Sequence, residues 1–284
     1  RSIGEFLDLN LENKNVLITG SNRGTGNDIA KVFLEEGARV FVHSLSEGAS
    51  ESACEALAND RALPLWGDIT TDAGADQVLT QYLAQNLMQN LAQNLAQNLA
   101  HEHQLDVLIN NYGEARRGKW STTSTEDWIK LYDINTLSIV RMVQRFLPHL
   151  PNNGRIINLG TIGSTRPNNI MPHYYAAKGA LATLTVSLSK EVGPRGITVN
   201  LVSPGLIRTP EVESSYLERA KKEGWGDSFE EAEAKITENY FPNPLGRIAT
   251  RREVSSVVLF LSSELASFVN GQNIRVDGGA VDYV

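Results

Sequence analysis

The chain is predicted to be an α/β protein, a doubly wound, seven-stranded parallel sheet with helices on both faces. Three observations predict it. Short apolar runs alternate with longer stretches patterned as helix. Most of these runs are continuously apolar, as parallel strands covered on both faces are. The first run leads into a glycine-rich turn and then a helix, the opening of a βαβ unit.

The strand candidates are NVLIT (15–19), RVFVHS (39–44), ALPLWG (62–67), LDVLIN (105–110), RIINLG (155–160), TVNLVS (198–203) and NIRVDG (273–278). The stretches between them are long enough for right-handed helical crossovers. Before the last strand, two charged helical patterns (211–222 and 228–240) precede PNPLGRIAT and a further helix, RREVSSVVLFLSSE. Residues 1–284 are therefore expected to form one domain, with an insertion at 206–245 acting as a mobile lid. Residues 83–100 repeat a four-residue unit, LAQN LMQN LAQN LAQN LA. A period of four advances the leucines by about 40° per repeat, so they wind around the axis instead of forming one seam. With the residues before it, the repeat implies a helix of roughly 28 residues, ~42 Å long. It reads as an expansion tolerated at the surface, with a partner site as the alternative.

Composition narrows the function. Hydrophobic residues make up 41% and charged residues 21%, and the net charge is −7, which offers no basic footprint for nucleic acid. No apolar run reaches membrane-spanning length, and the opening RSIGEFLDLNLENK lacks a signal-peptide core. A cytoplasmic protein with no membrane partner is expected. Cys54 is the sole cysteine, which excludes an internal disulfide, and no His/Cys cluster points to a metal.

The turn TGSNRGTG (19–26) carries the first chemistry. Gly20, Gly24 and Gly26 suit a tight turn, close approach of backbone to a pyrophosphate, and close helix–strand packing. The helix that follows offers free N–H groups and a positive dipole end to phosphate. A dinucleotide is the expected ligand. After the second strand come His43, Ser44 and Leu45, with no acid until Glu47. An NAD site usually places a carboxylate there. Ser44 as a donor and Arg23 as a cation suit a 2′-phosphate instead, so NADP is favoured over NAD.

Tyr174 and Lys178 stand four residues apart in HYYAAKGAL, one above the other on a helix. An ammonium beside a phenol favours the phenolate and is expected to lower its pKa.

Taken in order, TGSNRGTG, NNYG (110–113), Asn135 in LYDIN, Thr161 in INLGTIGS, Tyr174 with Lys178, and SPGLIRTP (203–210) closely resemble the single-domain short-chain dehydrogenase/reductases. These are NAD(P)-dependent oxidoreductases on a Rossmann fold. The resemblance spans roughly residues 12–280, and the glycine turn and VDGG look most like the 3-oxoacyl-carrier-protein reductases. It implies that Tyr174 is the acid or base, that Lys178 binds the nicotinamide ribose, and that Asn135 holds a water beyond Lys178. Thr161 stands where the family has its substrate-orienting serine, with Ser164 nearby. Thr161 keeps a hydroxyl, though its β-branch restricts the rotamer. Tyr175 competes as a phenol but has no lysine at i+4.

The same resemblance assigns Asn22, Thr25 and the rest of the glycine turn to the coenzyme. It places Asp68 and Ile69 at the adenine, Asn110 near the adenine ribose, and Pro204, Gly205, Ile207 and Thr209 around the nicotinamide. Tyr112 replaces the usual alanine of NNYG and narrows the cleft. Substrate walls are expected from 114–121, 161–173 and 206–245, with Arg116 and Arg117 as partners for an anion. Trp120, Met171, Trp225 and Phe241 would supply apolar surface. The function is expected to be NADPH-dependent reduction of a ketone, 3-oxoacyl substrates included. Oxidation of an alcohol or sugar with NAD, and a non-catalytic dinucleotide sensor, remain open. The family also implies a homo-tetramer or homo-dimer.

Overall fold

A computed structural model describes residues 8–93 and 104–283 of the chain. Seven parallel strands form one sheet in the order β3-β2-β1-β4-β5-β6-β9. They are β1 (Asn15–Ile18), β2 (Arg39–Ser44), β3 (Ala62–Trp66), β4 (Val107–Asn110), β5 (Arg155–Leu159), β6 (Thr198–Pro204) and β9 (Asn273–Val276). Every predicted strand is present within three residues at either end. From β1 the chain steps outward to β2 and β3, then returns to place β4 against the other side of β1. That reversal opens a crevice at the carboxyl ends of β1 and β4, where such sheets bind ligands.

The crossovers are α1 (Gly24–Glu35), α2 (Ala49–Leu57), α3 (Asp72–Gln93), α4 (Thr125–Tyr132), α5 (Ser138–Phe146), α6 (Pro172–Val192) and α9 (Arg251–Ser262). Two apolar cores result, one on each face of the sheet. The first joins Val16, Ile18, Val40 and Val42 to α1 and α9 through Ile29, Phe33, Val254 and Val258. The second joins Leu17, Phe41 and Leu108 to α3, α5 and α6 through Val78, Tyr82, Phe146 and Leu181. Successive strand residues feed opposite cores because side chains alternate across a sheet.

Between β6 and α9 run α7 (Pro210–Glu223) and α8 (Phe229–Asn239), matching the two charged helical patterns. They share a small core of Ala220, Phe229, Ala232, Ile236 and Ile248. Two short parallel strands, β7 (Ile207–Arg208) and β8 (Ala249–Thr250), close the base of this excursion. Neither strand was expected from the sequence. Helix α3 carries the repeat as far as Gln93, 22 residues or about 33 Å. The end of the expected 28-residue helix, from 94 onward, lies outside the described residues.

Candidate active site

The turn after β1 is built as its glycines require. Gly20 has φ +61° and Gly24 has φ +60°, values that side chains disfavour. A Cβ on Gly26 would lie 2.5 Å from both Asn111 Nδ2 and the Gly20 carbonyl oxygen. Helix α1 has no acidic residue in its first turn, so its N-terminal amides face no internal anion. The amides of Gly20 and Ser21 are engaged by His43: Gly20 N donates to Nδ1 at 3.0 Å and Ser21 N to the backbone oxygen at 2.9 Å. Anion-binding capacity therefore lies in the later part of the turn, with half-buried Asn22 and Thr25 and exposed Arg23. Arg23 faces the start of α7. It helps hold the Glu211 carboxyl below its usual range, behind the larger effects of the Glu211 backbone and the Thr209 hydroxyl. A tightly packed glycine turn leading into an acid-free helix start fits a dinucleotide phosphate.

Two residues that sequence reasoning passed over hold this turn. Asn111 donates from Nδ2 to the carbonyls of Thr19 and Gly20, both at 3.0 Å, and its backbone N–H donates to Thr19 Oγ1. His43, fully buried, spans from Gly20 to the Gly67 carbonyl at 3.0 Å. The signal for His43 was present, since a lone imidazole in an apolar strand requires partners.

Three residues assigned to the coenzyme turn their side chains inward. Ser44 is buried, and its hydroxyl donates to the Ser46 carbonyl at 2.6 Å. Asn110 is wholly buried and donates to Asn158, which donates to Thr185. It ties β4 to β5 and α6 and has no surface for an adenine ribose. Ile69 lies in the second core, leaving no side-chain surface for adenine. Asp68 is exposed, but one carboxylate oxygen already accepts from the backbone and hydroxyl of Thr70.

At the other end of the crevice, β6 closes with Pro204, and the Gly205 amide donates to Val276 O at 2.9 Å. Phe241 lies against Gly205, where any Cβ would collide with its ring. Ile207 sits in β7, and Thr209 caps α7 by accepting from Val212 N at 3.2 Å.

Tyr174 and Lys178 lie in the first two turns of α6. Lys178 is buried and its Nζ donates to the Leu159 carbonyl at the end of β5, 2.8 Å away. Asn135 lies in a π-helical turn, Asp133–Leu137, joining α4 to α5. Its Oδ1 accepts from Glu114 N at 3.0 Å, and its Nδ2 donates to Glu114 O at 2.9 Å and Leu131 O at 3.0 Å. Lys178 and Asn135 converge on Gly113, where a Cβ would lie 3.0 Å from Lys178 Nζ and 2.7 Å from Asn135 Oδ1.

Thr161 follows β5 and caps a short helical turn, its Oγ1 accepting from Gly163 N at 3.2 Å. Ser164 instead commits its proton to the Thr161 carbonyl at 2.7 Å. Tyr175 is buried against Gly163, and Tyr174 beside it is half-buried.

The electrostatics differ from expectation. Burial pushes the Tyr174 phenol up to about 12, with a smaller push from Tyr175. Burial also lowers the Lys178 ammonium to about 8. Desolvation disfavours the charged form of both groups, and it outweighs any attraction between phenolate and ammonium. The cleft walls depart too: Arg116 is paired in fork geometry with Glu114, at 2.5 and 3.0 Å. Trp120 is exposed and packs at a tilt on Trp128, ring centres 4.8 Å apart, and Trp128 in turn meets His173 at 5.9 Å.

Comparison with known proteins places this arrangement. A family model described as "Enoyl-(Acyl carrier protein) reductase" matches residues 20–281. The 3-oxoacyl-[acyl-carrier-protein] reductase of Vibrio cholerae is 30% identical over 95% of this chain and 98% of the relative. The meso-2,3-butanediol dehydrogenase of Serratia marcescens is 30% identical over 96% of each. Among solved structures, the L-sorbose reductase of Gluconobacter frateurii, complexed with NADPH and L-sorbose, superposes with a TM-score of 0.83. It is 25% identical, over 98% of this chain and all of that one.

Proposed function

The chain belongs to the short-chain dehydrogenase/reductase family, and from that premise we propose that it reduces a ketone to a secondary alcohol, with NADPH as the preferred coenzyme. One observation carries the reading: buried Lys178, four residues from Tyr174 on α6, meets Asn135 at Gly113, next to the Tyr112 that packs on Gly20 of the glycine turn. A reduced nicotinamide supplies hydride when bound. The chain's own residues then manage the oxygen that gains charge. Tyr174 donates its hydroxyl proton to that oxygen, a form of assistance worth roughly 10²–10⁴-fold. Thr161 adds a second donor, since its Oγ1 already accepts from Gly163 N and its own hydrogen has no acceptor among the described residues. Lys178 is positioned by the Leu159 carbonyl, and Asn135 fixes the Gly113–Glu114 backbone beside it. The excursion 206–245 serves as the lid, excluding water over the site.

The coenzyme preference rests on Arg23 and on the absence of an acid directly after β2. For the substrate, an uncharged ketone is favoured over an anionic thioester. Of the two arginines an anion would use, Arg116 is already matched by Glu114. The test follows NADPH and NADH absorbance across ketones, keto-sugars and 3-oxoacyl thioesters. Turnover with a ketone, falling at least ~100-fold in Tyr174→Phe while NADPH still binds, is the expected result. Substantial activity in that variant overturns the role of Tyr174. Binding of NADPH with no turnover on any substrate favours the sensor reading instead.

A further inference from the structure

We infer that His43 is a positioning residue for the coenzyme site, an inference that rests on the dinucleotide reading above. His43 sits at the end of β2, fully buried, and touches two separate segments of the crevice. Toward the glycine turn it makes three hydrogen bonds. Its Nδ1 accepts from Gly20 N, its backbone oxygen accepts from Ser21 N, and its backbone N–H donates to Ser21 Oγ at 3.0 Å. Toward β3 its Nε2 meets the Gly67 carbonyl, the residue before Asp68. The partners fix the tautomer: Gly20 N–H can only donate, so Nδ1 is bare and Nε2 carries the hydrogen that Gly67 accepts. One neutral ring thus sets the spacing between the phosphate cradle and the strand end proposed for adenine. It touches neither phosphate nor base, so it acts through the backbone it holds.

The two ring contacts can be separated by substitution. His43→Asn keeps an acceptor near the Nδ1 position, His43→Gln keeps a donor near Nε2, and His43→Leu keeps neither. NADPH affinity, read by fluorescence titration, is expected to fall on the order of tenfold or more in the Leu variant. Asn should retain most of the affinity and Gln less. Turnover at saturating NADPH should stay within about threefold of native in all three, a split that a general loss of folding would not produce. A folded Leu variant with native NADPH affinity overturns the inference. If Leu does not fold, equal native-like affinity in Asn and Gln overturns it. A native protein that binds neither NADPH nor NADH refutes the coenzyme reading itself, a separate outcome.

A second, independent observation concerns the sheet edge. Among the described residues, strand β3 has no neighbouring strand on its outer side. Its outward backbone groups are met by two glutamines of α3. Gln81 accepts from Trp66 N at 3.0 Å and donates to Trp66 O at 2.8 Å, and Gln85 donates to Pro64 O at 2.7 Å. Pro64 has no N–H to satisfy. The match is metric: four helical residues rise about 6.0 Å, and two strand residues about 6.6 Å. Glutamines at a period of four therefore serve alternate residues of an extended chain running the other way. We propose that Gln81 and Gln85 act as a surrogate strand, closing β3 against pairing with another copy of the chain. The sequence continues that spacing through Gln89, Gln93 and Gln97.

Gln81→Ala with Gln85→Ala removes all three bonds without adding apolar surface. Light scattering should then report a mass above native that grows with concentration. Native mass at every concentration, with an unchanged circular dichroism spectrum, overturns the proposal. If the double variant does not fold, Gln85→Ala alone is measured, and native mass at the highest concentration has the same force.

Discussion

Replacing Gly113 with alanine puts a methyl group where the proposed catalytic side chains converge. Its Cβ would lie 2.7 Å from Asn135 Oδ1, 3.0 Å from Lys178 Nζ and 3.3 Å from Lys178 Cε. Ordinary contact begins near 3.4 Å, so the asparagine oxygen would have to give by roughly 0.7 Å. It is poorly placed to do so. Asn135 is wholly buried, and its amide holds both backbone groups of Glu114 and the carbonyl of Leu131. Overpacking of this kind costs about 1–3 kcal/mol, which for a chain this size lowers Tm by roughly 2–10 °C. The functional loss should exceed the loss in stability, because a shift near 1 Å at a catalytic group can cost ~10²-fold in rate. Scanning calorimetry and initial-rate reduction of a ketone read the two effects. A variant with native Tm and turnover within about twofold of native would refute the convergence at Gly113.

Arg23→Ala should weaken NADPH much more than NADH, by about tenfold or more for a charge-assisted contact; equal losses would remove Arg23 from the 2′-phosphate. Acid should destabilise the fold through His43, whose folded pKa lies at about 4 against an ordinary 6.5. The unfolded imidazole takes a proton first, so its contribution is complete above pH 6.5, declines as pH falls through that window and is gone below 4. The shift corresponds to about 3 kcal/mol. In urea unfolding, the stability gap between native and His43→Leu should narrow by about that much from pH 7 to 4, and a constant gap would contradict the buried neutral ring.

What the sequence disclosed, and what it hid, follows from the length over which each signal is spread. Seven strands were legible because each is a run of apolar residues flanked by a long crossover, and α7 and α8 because each repeats its charge pattern over several turns. Strands β7 and β8 have two residues each, too few for any period. At the site, the glycines and the Tyr174/Lys178 pair were legible because backbone conformation and helical spacing are local. Side-chain direction at a strand end was not. Asn110 and Asn111 are adjacent, yet the first points into the core toward Asn158 and the second holds the glycine turn. One residue of strand parity decides which asparagine is structural. The direction of Ser44 was hidden in the same way, as a serine ending a strand can turn its hydroxyl to a carbonyl two residues on. The pKa of Tyr174 was misread because i,i+4 spacing shows proximity to Lys178 but not the burial that dominates both groups.

That burial bears on direction. With the phenol at about 12 and the ammonium at about 8, neutral pH leaves Tyr174 protonated and Lys178 mostly charged. This is the state a proton donor needs, so reduction can begin from the resting site. Oxidation must first form the phenolate, and at pH 7 that costs about 7 kcal/mol unless further positive charge enters the site. The two directions should therefore respond to pH differently. Reduction should be level as far as Tyr174 governs it from pH 6 to 10, since a phenol at about 12 keeps its proton there. Oxidation should climb with pH across the whole range. Saturating rates measured in both directions from pH 6 to 10 decide the matter. An oxidation rate independent of pH would mean that the phenol ionises freely at neutrality. Lys178 would then prevail over desolvation, and the preference for reduction would lose its physical basis.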